Sequence, residues 1–245
     1  MASGLFAQVM AYTLIPVAAT IIGGTVAAFR TPGPRLRSGV QHFAAGVVFA
    51  AVAVELLPDV VHERAPLPAI VGFALGVATL LAVKRLTERF GGVEGAGAGK
   101  IASATSLLAA LGIDIGIDGL LLGIGFAAGA KQGILLTIAL TLELLFLGLA
   151  AAAALGGAGA SRGRVIGTTV GLALVLLVGA AAGALLFGGL TGAAFEAVLA
   201  FGVAALLYLV TEELLVEAHE VPETTAITAA FFVGFLLLLV IDMVT

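Results

Sequence analysis

The chain has no cysteine and no tryptophan, and its 245 residues include only two tyrosines and three histidines, His42, His62 and His219. Without cysteine there is no disulfide, no thiolate metal ligand and no thiol nucleophile. Charge is equally scarce. Only 11% of residues are charged, against about 25% in an ordinary soluble domain, and the net charge is −4 with no basic run. Nucleic acid is therefore excluded as a partner, and anionic lipid as the principal one. What remains is 61% hydrophobic with 34 glycines and a mean hydropathy of +1.23. That composition belongs to a membrane protein surrounded by lipid, with every stretch engaged in one transmembrane domain over 1–245.

A transmembrane helix needs roughly 20 predominantly apolar residues. Eight segments qualify: 5–29, 38–60, 65–87, 103–127, 132–155, 165–187, 192–216 and 224–243. The first lacks a basic leader and is too long for a signal-peptide core, so it reads as a retained span. The connectors are short and carry Gly, Pro and charge; the longest, 87–100, reads as a mobile cytoplasmic loop. Connectors after spans one, three, five and seven share one side with Arg30, Arg35, Arg37, Lys84, Arg85, Arg89, Lys100, Arg162 and Arg164, while Arg64 and Lys131 lie on the other. By the positive-inside tendency the first side is cytoplasmic and both termini face outward.

GIDIGIDG (112–119) interrupts this apolar pattern with Asp114 and Asp118 in the middle of span four. A charge at the centre of a membrane helix costs about 2.5–3.5 kcal/mol on insertion scales, so intramembrane acids face the bundle interior and mark a pathway. Four residues apart, the two aspartates share one helical face with Cβ atoms about 5–6 Å apart. Glu143, the one acid of span five, lies at a corresponding depth, and adjacent antiparallel helices bring the three together. Gly112, Gly116 and Gly119 thin the helix beside them, which admits a neighbouring backbone or leaves room for an ion. No Lys or Arg lies in a span core, so the counter-charge is protons or a metal cation. Carboxylates are hard donors suited to Mg²⁺, Mn²⁺ or Ca²⁺, and no histidine is available at that depth. The plainer alternative is that the acids are protonated and hydrogen-bond neighbouring helices as structural glue.

Two further clusters sit at span ends. Span two closes with ELLPDVVHE (55–63) and span seven with EELLVEAHE (212–220): in each an acid, Leu-Leu, a second acid, then His-Glu. One leaves the membrane outward and the other inward, the pattern of inverted repeats relating spans one to three to spans six to eight around spans four and five. Glu55, Asp59, His62 and Glu63 then form an acidic outer mouth that concentrates cations. Glu212, Glu213, Glu217, His219 and Glu220 form its inner counterpart, where His42 joins from the start of span two. Glu212 and Glu213 are adjacent and point about 100° apart on a helix, so one of them is expected to face the path.

With these residues in view the chain resembles the ZIP (Zrt- and Irt-like) family of divalent metal transporters. HFAAGVVFAAVAVELLPDV (42–60) looks like that family's second span and LLYLVTEELLVEAHE (206–220) is similar to its seventh. Against the family's His-Asn-x-Pro-Glu-Gly motif of the fourth span, Asp114 stands at the His position, Ile115 at Asn, Ile117 at Pro and Asp118 at Glu. In the fifth span Glu143 takes the His position and Leu147 that of Glu, with 29 residues between the motif glycines Gly119 and Gly148. The resemblance implies an all-α fold of eight spans in a 3+2+3 arrangement, located in the cell (inner) membrane. It implies inward transport of a divalent metal ion as substrate, Zn, Fe, Mn or Cd, without an organic cofactor. With both His, both Asn and both Pro replaced and no acid in span six, at most one mononuclear site remains, on Asp114, Asp118 and Glu143. The lost prolines also leave spans four and five without the kinks that free backbone carbonyls.

Two other functions compete. The D-x-x-x-D spacing occurs in membrane transferases that hold a metal and a diphosphate, but Arg and Lys for the phosphates and an Asp-Gly-x-x-Ala-Arg stretch are absent, and an intramembrane protease needs its aspartates on facing helices. The chain is not expected to be an enzyme. A non-transporting or proton-coupled divergent member of the same fold, a sensor or scaffold in the first case, is the second alternative; replacement of the motif histidines by acids and not by apolar residues counts against loss of transport. A homodimer is permitted by small-residue faces such as GLLLGIGFAAG (119–129).

Overall fold

In the computed structural model, residues 2–30, 33–91, 100–222 and 224–244 are described, and among them there is no strand. The centre of the connector expected to be mobile, 92–99, lies outside the described residues. Eight helical rods are long and apolar enough to cross a membrane. They are α1 Ala2–Phe29, α2 Pro34–His62, α3 Pro66–Gly91, α4 Lys100–Ala128, α5 Ala130–Gly157, α6 Arg162–Phe187, α7 Gly192–Ala218 and α8 Thr225–Val244. Lipid offers a backbone no hydrogen-bond partner, so an apolar run of this length satisfies its amides within a helix. The connectors break the runs by local chemistry: Pro34 fits the first turn of α2, where its missing N–H costs nothing. Ser161 Oγ accepts from the Arg164 amide at the start of α6. Gly159, at φ +84°, makes the left-handed step between α5 and α6.

Eight successive spans place both termini at one end of the bundle, called here the terminal end; the connectors after α1, α3, α5 and α7 make the loop end. The helices pack in two sets. In the first, α1 lies on α5 and α6, and α4 on α6 and α5. In the second, α2 lies on α8, α3 on α7, and α2 meets α7. Glycine lets backbones touch within each set. A Cβ on Gly23 would strike the Leu145 carbonyl and the Leu149 amide, and one on Gly179 the Gly116 carbonyl and the Leu120 amide. Gly148 bears likewise on Thr20 and Gly24, Gly119 on Leu176 and Ala180, Gly46 on Phe231 and Phe235, and Gly234 on Phe43. Between the sets no glycine makes such a backbone contact among the described residues: Gly202 of α7 has a Leu121 methyl of the first set at 3.6 Å, and its other neighbour, Leu56 at 3.7 Å, belongs to its own set.

The 119–129 segment, whose small residues permit a homodimer, packs within the chain: Gly119 and Gly123 seat α6, and Gly125 meets Leu136. The glycines beside the aspartates divide in the same way. Gly119 admits the α6 backbone, whereas Gly112 and Gly116 face single side chains of that helix. α4 and α5 run as unbroken α-helices, as the absence of proline predicts. α2 and α7 do not. Each contains one π-turn, Val52–Leu56 and Leu209–Leu214, and both fall on the repeated acid-Leu-Leu stretch. In α2 the turn precedes Pro58, whose ring would otherwise meet the carbonyl of Val54. In α7 the Thr211 hydroxyl donates 2.9 Å to the Leu207 carbonyl, giving that acceptor a partner within the widened turn.

Candidate metal centre

α4 and α5 are joined through the single residue Gly129, which forces them to run side by side in opposite directions. Asp114 lies fifteen residues before Gly129 and Glu143 fourteen after it, so at about 1.5 Å per residue they reach the same depth. Asp118, one turn along from Asp114, completes a cluster in which one carboxylate oxygen from each residue lies within 4.8 Å of the others. Asp118 is 1% exposed and Glu143 0%. Asp118 Oδ2 and both carboxylate oxygens of Glu143 are buried without a hydrogen-bond partner among the described residues. No ion pair among the described residues reaches any of the three. Carboxylates so placed repel one another in a medium that screens poorly, and Glu143 lacks the inter-helical hydrogen bonds that the structural-glue reading would ask of it. Three hard oxygen donors around one point suit a divalent cation.

A cavity of about 270 Å³ leads from the cluster to the loop end, bordered by Asp114 and Glu143 at its inner limit and by Gln41, Lys84, Tyr208 and Glu213 along its walls. Glu213 of the α7 π-turn stands within hydrogen-bonding reach of Asp114. Glu212 also borders the cavity, so both members of the adjacent pair do, contrary to the expectation that one would: the π-turn widens the helix, and Glu212 reaches Lys84 Nζ at 3.0 Å across the mouth. Glu217 accepts a hydrogen bond from Gln41 and lies 3.8 Å from Arg37. His42 and His219 meet edge to face with ring centroids 5.1 Å apart. Nδ1 of His42 donates to the Ser38 carbonyl and that of His219 to the Leu215 carbonyl. In that tautomer each Nε2 is an acceptor, the form in which imidazole binds a cation. Glu220 is exposed at the end of the same helix.

The terminal end is closed. Leu121, Leu122, Ile124, Leu135, Leu136 and Leu140 form an almost fully buried layer above the cluster. Beyond it, Glu55 is buried against Lys131, and Asp59 accepts 2.9 Å from Gln132 Nε2. His62 and Glu63 are exposed at the end of α2 and do not join them. The acidic mouth expected of these four is thus one buried acid, Glu55, one half-buried and hydrogen-bonded acid, Asp59, and a solvated His62–Glu63 pair. Asp242, the isolated acid near the end of α8, escaped the sequence reading although it interrupts an apolar run as Asp114 does; it lies 2.8 Å from Lys131. Lys131 was counted only as a loop charge, and Gln41, Gln132 and Tyr208 carry no signal in a single sequence. No protein-family model matches the chain, and no curated protein matches it.

Proposed function

We propose that the chain is a ZIP-like transporter that moves a divalent metal cation through a mid-membrane carboxylate site on α4 and α5. The observation that carries this reading is the triad itself: three clustered acids, of which Asp118 and Glu143 are buried with oxygens that nothing among the described residues satisfies. A cation supplies what the triad lacks. Asp114 and Glu143 face the cavity and receive or release the ion, while Asp118 closes the far side.

Alternating access follows from the packing. Glycine-mediated backbone contacts bind each helix set internally, and among the described residues no glycine makes such a contact between the sets. Movement of one set against the other opens the terminal end and closes the loop end without unpacking either. The 3+2+3 arrangement, with α1 to α3 and α6 to α8 as inverted repeats, is supported by the matching glycine contacts. Gly23 bears on positions 145 and 149 as Gly179 does on 116 and 120, and Gly148 bears on 20 and 24 as Gly119 does on 176 and 180. With the positive-inside orientation the loop end is cytoplasmic, and the path runs from Glu55 and Asp59 through Asp118, Asp114 and Glu143 to Glu213, His42 and His219.

The test is uptake of Mn²⁺, Fe²⁺, Zn²⁺, Cd²⁺, Mg²⁺ and Ca²⁺ by proteoliposomes holding the purified chain. Uptake of at least one divalent ion is expected, with Asp114→Ala and Glu143→Ala reducing it by about a hundredfold or more while the folded yield is kept. Full uptake in both variants would refute the site.

A further inference from the structure

The ion pairs among the described residues divide by place. Arg37–Glu217 and Lys84–Glu212, at the loop end, join helices of the same set. Lys131 alone links the two sets: from the first turn of α5 it reaches Glu55 of α2, 3.6 Å away, and Asp242 of α8, 2.8 Å away. Its Nζ also donates 3.2 Å to the Asp242 main-chain carbonyl. Both charged ends of this contact are misplaced by local rules. A cation in the first turn of a helix and an anion in the last turn each oppose the helix dipole, so neither residue serves its own helix. Glu55 sits in a π-turn, a backbone feature that recurs at functional positions. The carboxyl groups of Glu55 and Asp242 adjoin one another within the second set, and the ammonium from the first set neutralises their repulsion. The partners are largely shielded, with side chains 6% and 19% exposed against 45% for Lys131. The contact is therefore screened less than a pair in open water. Gln132, the next residue, adds its bond to Asp59 of α2.

We propose that Lys131 is a tethered cation that latches the terminal end shut, its ammonium seated on Glu55 and Asp242 for as long as the helix sets are closed there. The latch must release before those carboxylates and Asp59 face the terminal-end solution. An arriving cation then meets acids that the protein's own ammonium has just vacated, and Lys131 competes with it for them. The inference rests on the reading that the two sets move against each other.

The absence of cysteine makes a direct test available. Leu136→Cys puts a single thiol in the buried layer, seven residues or about two turns toward the terminal end from Glu143. Ala110→Cys puts one in the wall of the loop-end cavity. The rate of modification of each by a membrane-impermeant methanethiosulfonate reports access from its own end. Lys131→Gln is expected to raise the rate at position 136 by up to about tenfold, through a shift in the population open at that end, and to lower the rate at position 110. Lys131→Arg is expected to leave both rates as they were. The exchanged pair Lys131→Glu with Asp242→Lys is expected to restore slow modification at position 136, which separates a latch from a folding defect. An unchanged rate at 136 in Lys131→Gln, a rise at both thiols together, or no recovery in the exchanged pair overturns the latch. Metal uptake by the same proteoliposomes keeps the two readings apart: shifted thiol rates without uptake refute transport and keep the latch, while uptake with unmoved rates refutes the latch alone.

Discussion

The two ends of the bundle carry one sequence element in two conditions. At the terminal end the acid-Leu-Leu stretch of α2 lies under α5, with Glu55 against Lys131, Asp59 bound to Gln132, and aliphatic side chains filling the space toward the acid cluster. At the loop end the matching stretch of α7 lines a cavity, with Glu213 turned to Asp114 and Glu212 to Lys84. Both stretches contain a π-turn and both offer an acid to the interior. The difference lies in what is laid against them. A first-set helix presses on the α2 element, whereas the α7 element looks into open space. Local sequence therefore prepares each end for either condition, and the relation between the two sets decides which one holds.

The largest predicted effect comes from filling a contact inside a set. Gly148→Val would drive a branched side chain into the Thr20 carbonyl, with an expected loss of about 3 kcal/mol or more and little folded protein in thermal melts in detergent. Gly202→Ala, on the boundary between sets, adds a methyl at ordinary contact distance from Leu121 and Leu56 and is expected to cost less than about 1 kcal/mol. Equal losses in the two variants would remove the distinction between rigid sets and a movable boundary.

Next comes the centre shared by both ends. Glu143→Gln relieves repulsion at a buried carboxylate that has no hydrogen-bond partner among the described residues, so the metal-free protein is expected to be stabilised by about 1–2 kcal/mol. A lower melting temperature would mean that Glu143 is holding helices together. The smallest effect is at the loop-end mouth. Lys84 and Glu212 are both about half exposed, and Lys84→Ala is expected to change stability by less than about 1 kcal/mol. It is also expected to leave thiol access at position 136 unaltered, in contrast to Lys131→Gln. A matching shift in thiol access would make the two lysines equivalent and erase the asymmetry of the ends.

Much of this was legible in the residues. Apolar run length marks the eight helices, because lipid forces each run to satisfy its own backbone, and helices extend only a few residues beyond the apolar cores. The clustering of the three acids was legible too: one-turn spacing puts Asp114 and Asp118 on one face, and the matching depth of Glu143 in the adjacent antiparallel span brings it to them. The latch was hidden because its three charges come from α2, α5 and α8, and no local pattern links Lys131 to Asp242. The π-turns were hidden for a similar reason. One precedes Pro58 and the other contains the Thr211 hydroxyl bond to the Leu207 carbonyl, so no shared residue marks the shape. Packing likewise decided the fate of the 119–129 face, whose small residues suit a second chain as well as they suit α6.

The account stands most directly on the claim that Asp114, Asp118 and Glu143 together hold one cation. Equilibrium dialysis of the purified chain against Mn²⁺, then against Cd²⁺ and Zn²⁺, measures it. Saturable binding near one ion per chain at the centre is expected for at least one of these ions, with that ion lost in Glu143→Gln and retained in Lys84→Ala. No saturable binding of any of the three, or the same binding in Glu143→Gln as in the unaltered chain, would contradict it.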